Sequence, residues 1–531
     1  MYDIVIKNGT IIDGSGHPMY RADIAIKEDR IVSIGDLTHE HAEKIIDAEG
    51  QYVAPGFVDV NNHSDTYWNI FTNPKMESLL FQGVTTIIGG NSGSSLAPLA
   101  SANIIRSIQK WTDVEKINFN WLSMKDFLQE VEKRRLAVNF ATLVGHGTIR
   151  RGAMKDKTRT ITPSEIVSMD RMLKRAMEEG AIGLSTGLVY THARGARTRE
   201  LSTLAKTAVS LGGVYATYVR DEGADLVKSV EEAILVARDA EVPLHISHLK
   251  AVGKGNWHLM DEVFHLIETA ALNEIKISFD VYPYTTTGSV LYTLLPEWVT
   301  TEGRKMMLQK LKDPGVRNTV LRDMHQNEID YSQILISSSH LSKMLSRRKI
   351  SDIALLQGKT PEETVLDFLI ASDGQAIVSF EALSEKNVLK AIQHPFSIIS
   401  SNGVGYGIDH AKTGELVHPR NFGTFPKVFA EYVREQKALS WEEAVHKMTG
   451  KPAVQFQLEK RGLLQEGYFA DIVVFQPDTI ADCSTMEDPY QYATGMTSVI
   501  VNGSFAIAEG KIVEGDRHGV VLKKNRSWFE W

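Results

Sequence analysis

The stretch Thr162-Pro163-Ser164-Glu165-Ile166-Val167-Ser168-Met169-Asp170-Arg171-Met172-Leu173-Lys174-Arg175-Ala176-Met177-Glu178-Glu179-Gly180-Ala181-Ile182-Gly183-Leu184-Ser185 decides the fold. Thr162 offers an N-cap oxygen, Pro163 occupies the first helical position and Glu165 completes a capping box. Ile166, Met169, Met172, Leu173, Ala176 and Met177 recur at helical spacing and form one apolar face, and Gly180 supplies the C-terminal stop. Ala181 to Ser185 follows at once and reads as a buried strand. A second such unit lies downstream: Leu226, Val227, Val230, Ile234 and Ala237 form a helical face that feeds the strand Val242 to His248. Strands of about five residues alternating with helices of about 10 to 15 are the pattern of repeated βα units. The expected fold is α/β, a TIM-like (β/α)8 barrel with function on the loops at the strand C-termini.

The two ends of the chain have another texture. Ile4-Val5-Ile6, Thr10-Ile11-Ile12, Ala22 to Ile26 and Arg30 to Ile34 are short apolar runs, with Asn8-Gly9 and Asp13-Gly14 between them as hairpin signals. Ala470 to Phe475, Ser498 to Gly503 and Gly510 to Val513 repeat the style. Neither end has enough strands to close a core alone, so the two are expected to build one small β-sandwich domain. The expected organisation is residues 1–54 and 460–531 in that domain and 55–459 in the barrel. An insertion or lid is expected at about 287–348, where the rhythm gives way to a charged helical segment, Glu302 to Asn327, followed by Ser337-Ser338-Ser339-His340.

Composition narrows the function. The 531 residues are 43% hydrophobic and 23% charged, enough to bury a large core. A net charge of −8 without a dense Lys/Arg run removes the footprint that nucleic-acid or anionic-membrane binding requires. The expected partner is a small molecule, with no nucleic acid and no membrane. A single cysteine, Cys483, can form neither an internal disulfide nor a cysteine-rich metal site. With no signal-like N-terminus and no run of eighteen apolar residues, a cytoplasmic location is expected.

Polar residues gather where the barrel strands should end. Ala54 to Asp65, if extended, places Asp59, Asn61, His63 and Asp65 on one face. Similar rows recur at Gly89 to Gly93, Val144 to Gly147, Tyr215 to Glu222, His245 to Lys250, Asp280 to Tyr284 and Ile399 to Gly403. One such row is an ordinary solvated strand end. Seven in chain order make the shared rim the candidate site.

These segments resemble the N-acyl-D-amino-acid deacylases (D-aminoacylases) of the amidohydrolase superfamily. The resemblance covers essentially the whole chain through Ala54-Pro55-Gly56-Phe57, Gln82-Gly83-Val84-Thr85-Thr86, Ser95-Leu96-Ala97-Pro98, Gly183 to Leu188, Asp280 to Tyr284, His418-Pro419-Arg420, Gly423-Thr424-Phe425-Pro426 and Ala470 to Phe475. It implies a TIM-like barrel, a β domain from both termini, a mobile insertion and zinc-dependent cleavage of the amide of an acylated D-amino acid.

At the positions of the chemistry the chain departs from the family. The first strand ends in Asn61-Asn62-His63 where the family has His-x-His. Ser92 replaces the metal-bridging Cys, Tyr218 a metal-binding His, and Asn402 the general-base Asp. The resemblance leaves His63 and His248 of the metal constellation, which belong to different metal positions. Hydroxyl and phenol oxygens are poor zinc donors, and an amide accepts no proton as a base. No cofactor and no metal are therefore expected.

Other positions match. The resemblance implies that Lys250, Tyr282 or Tyr284, and Arg420 hold a substrate carboxylate, as an ammonium, a phenol and a guanidinium would. His146 takes the place of a family rim histidine. His192 and Arg194 add polarity to the loop Thr191 to Arg197 and would suit a second acidic group. The expected function is an amidohydrolase-like enzyme acting at the acyl or amide group of a carboxylate-bearing, N-acyl-amino-acid-like compound without the family zinc. Ser92 would be the nucleophile, His248 or His63 the base and Tyr218 the donor to the oxyanion. The alternatives are a non-catalytic protein binding such a ligand and a zinc deacylase with unorthodox ligands.

Overall fold

The computed structural model describes residues 1–105, 119–155, 157, 159–326, 329–339, 341 and 345–524. Asn327 and His340, which the sequence places in the insertion, and the end of the C-terminal segment lie outside the described residues.

Eight parallel strands form the barrel: Phe57–Asp59 (β1), Val84–Gly89 (β2), Asn139–Thr142 (β3), Gly183–Gly187 (β4), Val214–Tyr218 (β5), Leu244–Ile246 (β6), Ile277–Val281 (β7) and Ser397–Ile399 (β8). Each pairs with the next in sequence from β1 to β3 and from β4 to β8. Beyond β3 the chain continues through Val144–Gly145, which pairs with β4. An Asn62–Gly403 bridge and a hydrogen bond from Asn61 N to Ser400 Oγ (3.0 Å) join β1 to β8 and close the cylinder. All residues of β2 and β4 are buried, as expected for strands covered on both faces.

The helix before β4 spans Pro163–Glu178 and carries both halves of the capping box, with Met169, Leu173, Ala176 and Met177 buried against the barrel. Leu226–Ala240 precedes β6 in the same way. These lengths follow from the apolar spacing and the stop signals.

Strands from both termini join in one nine-stranded sheet. Its seam is Ile472–Phe475 lying antiparallel to Tyr52–Pro55, with Val473 opposite Ala54. Ile6, Ile24, Val53, Ile472 and Ile500 share its core. Asn8-Gly9 is not a hairpin: Tyr2–Ile11 is a single strand whose register against Tyr20–Lys27 shifts between Ile6 and Gly9. A bulge absorbs the left-handed Asn8 (φ 61°), and the polypeptide turns back only after Ile11. Phe57 stacks on Phe425 and lies against Phe429, each at 5.6 Å, and Phe429 also meets Phe475, which fastens the β domain to the barrel.

The inserted unit extends past residue 348. Thr286–Val290 and Ile334–Ser339 both pair antiparallel with Ala376–Glu381, so the third strand of its sheet lies well beyond the expected boundary. Leu291, Val299, Leu311, Ile336, Val365 and Val378 belong to a core of its own. Among the described residues no helix is long and apolar enough to cross a membrane.

Candidate active site at the barrel mouth

A cavity of about 1060 Å³ opens at the C-terminal ends of the barrel strands, between them and the inserted sheet. His63, Ser92, Tyr218, His248, Lys250, Asn402 and Arg420 all line it, although they come from six separate places in the sequence. Thr287, Ser289, Ser337 and Ser379 of the inserted unit form part of the facing wall.

Ser92 sits on the turn after β2 with φ 54°, a left-handed conformation unusual for a residue with a side chain. The turn is pinned by Gly90 N donating to Asp65 Oδ2 (2.6 Å) and Gly93 N donating to Ser185 Oγ (3.1 Å). Gly187 must lack a side chain, since a Cβ there would lie 2.1 Å from the Ser92 carbonyl oxygen. The polar row expected on one face of residues 54–65 diverges because regular β1 ends at Asp59. Asp59 accepts from Ser400 and Ser401, Asn61 donates to Asp280, Asp65 turns to the Gly90 amide, and His63 alone of the four reaches the cavity. Burial raises the Asp65 carboxyl to about 6.

In the same cavity as Ser92, three side chains converge on one carboxylate, Glu222, which stands at a strand end and to which the sequence pattern assigns no role. Glu222 Oε1 lies 3.1 Å from His248 Nδ1 and accepts from Lys250 Nζ, while Oε2 accepts from the Tyr218 hydroxyl at 3.2 Å. Lys250 Nζ is also 3.0 Å from His248 Nδ1 and donates to the His248 carbonyl at 3.1 Å. Burial works to raise the Glu222 carboxyl, and Lys250 and His248 override it and hold the group below the usual carboxylate range. Burial, then the Lys250 ammonium, lowers the His248 imidazole, while burial and Glu222 push the Tyr218 phenol well above 10. His63 Nε2 is paired with Asn402 Oδ1 at 2.8 Å.

Arg420 stands at the start of the helix Arg420–Lys427 with its guanidinium 5.1 Å from the centre of the Tyr282 ring. Its Nε and Nη1 are buried and have no hydrogen-bond acceptor among the described residues. Beside it, His418 Nδ1 accepts from the Arg420 amide (3.0 Å) and Nε2 donates to the Thr286 carbonyl (3.1 Å), so both ring nitrogens are engaged. Burial and the Arg420 charge hold that imidazole well below its ordinary pKa, which keeps it neutral. Among the described residues Arg420 is thus a cation without an ion-pair partner at the cavity wall, whereas the Lys250 charge is already met by Glu222.

The remaining candidates sit elsewhere. Tyr282 donates to Thr287 Oγ1 (3.2 Å) and supports Arg420 from below. Tyr284 does not line the cavity; its ring meets His418 edge-on at 5.2 Å and lies under Lys427. His146 is fully buried with Nε2 2.8 Å from Glu200, which also accepts from Arg150 Nε at 2.9 Å. Arg150 in turn donates to the His192 carbonyl, so His146 and His192 belong to a buried network that packs the Thr191–Arg194 helix. Arg194 pairs with Glu297 of the inserted unit at 2.9 Å. None of these three lines the cavity.

Residues 44–507 match the family model described as "Amidohydrolase family". The chain belongs to the amidohydrolase family. It is 35% identical over 523 residues to the D-aminoacylase of Alcaligenes xylosoxydans xylosoxydans, a match covering 98% of each protein. With the N-acyl-D-aspartate deacylase of the same organism it shares 32% identity, over 98% of this chain and 95% of that protein. The solved N-acyl-D-glutamate deacylase of Bordetella bronchiseptica, complexed with zinc and a phosphonate inhibitor, superposes with a TM-score of 0.84 at 29% identity, over 98% of this chain and 99% of that one.

Zinc does not fit the side chains of this amidohydrolase. Among the described residues no group of three or more His, Cys, Asp and Glu side chains is placed to hold a metal ion. Ser92 and Tyr218 bring neutral oxygens, and the Tyr218 phenol is driven further from ionisation by its surroundings. His63 Nε2 is taken by Asn402, and the Lys250 ammonium stands against His248 Nδ1 and Glu222, so a cation of the protein's own already occupies the anionic corner.

Proposed function

We propose that this amidohydrolase acts at the acyl or amide group of a carboxylate-bearing amino-acid derivative of the N-acyl amino acid kind, and that it does so without zinc. The observation that carries the reading is Arg420, whose buried Nε and Nη1 have no acceptor among the described residues. A planar guanidinium with free donors is matched by a carboxylate. The deacylase names of the relatives support the acyl-amino-acid class for the rest of the ligand.

Ser92 is the nucleophile of this reading and His248 its base. As Ser92 Oγ attacks the carbonyl carbon, its proton passes to His248 Nε2, which later protonates the leaving nitrogen; water then releases the acyl group with His248 again the base. The Tyr218 hydroxyl can serve the oxyanion only by exchanging its bond to Glu222 for one to the substrate. His63, paired with Asn402 Oδ1 through Nε2, is the weaker candidate for the base. A small-molecule carboxylate is the partner, and a cytoplasmic location suits the single unpaired Cys483.

The commitment of Tyr218 and Lys250 to Glu222 favours a second reading, a protein that grips the ligand without cleaving it. Incubation with a panel of N-acyl D- and L-amino acids, followed by mass spectrometry and thermal shift, separates the two. Cleavage that survives chelation and disappears in Ser92→Ala supports the catalytic reading. Stabilisation with every compound recovered intact supports binding alone, and full activity in Ser92→Ala discards the nucleophile.

A further inference from the structure

Three residues of the candidate site hang on one carboxylate, and this has a consequence for the imidazole between them. We infer that Glu222 is the positioning residue of His248: it accepts a hydrogen bond from Nδ1–H and so sets the tautomer whose unprotonated Nε2 is left for the cavity. The inference deepens the catalytic reading above, which needs that lone pair.

Two groups compete for His248 Nδ1, Glu222 Oε1 at 3.1 Å and Lys250 Nζ at 3.0 Å. They demand opposite tautomers, because a carboxylate accepts a hydrogen bond from Nδ1–H and an ammonium donates one to an unprotonated Nδ1. The ammonium has two oxygen acceptors in place, Glu222 Oε1 and the His248 carbonyl at 3.1 Å, and so does not depend on the ring nitrogen. A carboxylate facing an unprotonated Nδ1 would bring two lone pairs together in a buried site; facing Nδ1–H it makes a charge-assisted hydrogen bond. Glu222 and His248 are 9% and 4% exposed, so solvent does little to relieve the wrong arrangement.

The same pair of charges supports the backbone beneath the ring. His248 is left-handed with φ 38°, and its carbonyl is held by Lys250, which Glu222 in turn anchors. Tyr218 adds a third tether, packing edge-on against the His248 ring at 4.3 Å while its hydroxyl donates to Glu222 Oε2. Ring plane, ring flip and tautomer are therefore fixed by one side chain. With the carboxylate removed, the ammonium loses its strongest acceptor and turns to the Nδ1 lone pair, which moves the proton to Nε2.

Nitrogen-15 NMR of the ligand-free, histidine-labelled full chain at mildly alkaline pH reads the tautomer directly and needs no substrate, so it fails or succeeds independently of the catalytic reading. His248→Asn identifies the ring signals. The expected results are the Nδ1–H pattern in the native protein and in Glu222→Gln, whose amide oxygen still accepts, and the Nε2–H pattern in Glu222→Ala. If Glu222→Ala fails to fold, Glu222→Gln against Glu222→Met replaces the comparison, Met filling the space without accepting. An Nε2–H native protein, or the same tautomer with and without an acceptor at position 222, overturns the inference.

Discussion

Replacing Arg420 by Met separates ligand recognition from fold stability, because the two effects have opposite expectations. Two charge-assisted hydrogen bonds from Nε and Nη1 to a carboxylate, at about 1.5 to 3 kcal/mol each, amount to roughly 3 to 6 kcal/mol. That weakens binding about 10²- to 10⁴-fold, since each 1.4 kcal/mol is a factor of about ten. In the ligand-free protein the same two atoms have no acceptor among the described residues, so Met removes no hydrogen bond made by them there. The loss is the contact over Tyr282, about 0.5 to 2 kcal/mol, offset by relief of a poorly solvated charge. Titration calorimetry with the best-binding N-acyl amino acid and a denaturation curve of each protein supply both numbers. A Kd within a few-fold of native would move the carboxylate elsewhere in the cavity. A ligand-free stability loss of about 3 to 5 kcal/mol, the size expected when a buried ion pair is broken, would mean that Arg420 is structural.

Other consequences are open to direct measurement. Burial lowers the Lys447 ammonium to about 7, so between that pH and its ordinary value near 10.5 the unfolded chain binds more protons than the folded one, and stability rises with pH across that window. Lys447→Met should flatten the rise, which urea midpoints from pH 7 upward would reveal; an unchanged slope contradicts the burial argument. Glu200→Gln leaves Arg150 and His146 without their carboxylate and should cost about 3 to 5 kcal/mol of stability, read by thermal or urea unfolding, without the direct loss of ligand affinity expected at Arg420. Phe57→Ala opens the aromatic joint between barrel and β domain and should cost about 3 to 5 kcal/mol in the same assay. A double-mutant cycle on Arg194 and Glu297 should give a coupling of only about 0 to 1 kcal/mol, since Glu297 is 61% exposed.

Much of the architecture is written locally. The capping box at Thr162 and Glu165 and the apolar stripe behind it define their helix within the chain itself, and the buried runs after each stop signal fix the strands. Pairing is harder to read. Ala376–Glu381 looks like one more barrel strand, and only its antiparallel partners, some 40 and 90 residues upstream, assign it to the inserted sheet. Asn8-Gly9 carries the residues of a hairpin turn, yet a bulge uses the same left-handed conformation.

At the site, residues at strand ends were legible because the barrel sends all of them to one rim. Ser92, Tyr218, His248 and Asn402 gather there for that reason. Glu222 was missed because an acid in Arg220-Asp221-Glu222 looks like solvated loop, and its role arises from Lys250 folding back onto it. His146 and His192 illustrate the reverse: rim positions in sequence whose neighbours, Glu200 and Arg150, draw them into the packing beneath the loop.

In the function proposed above, the Lys250 ammonium at the barrel mouth stands in place of a bound ion. Elemental analysis of protein purified without chelator, together with anomalous scattering at the zinc edge from its crystals, tests this most directly. The account predicts zinc far below one ion per chain, no anomalous peak between His63 and His248, and ligand binding untouched by chelation. A stoichiometric ion held by His248 or His63, with Lys250 turned away from Glu222, would contradict it.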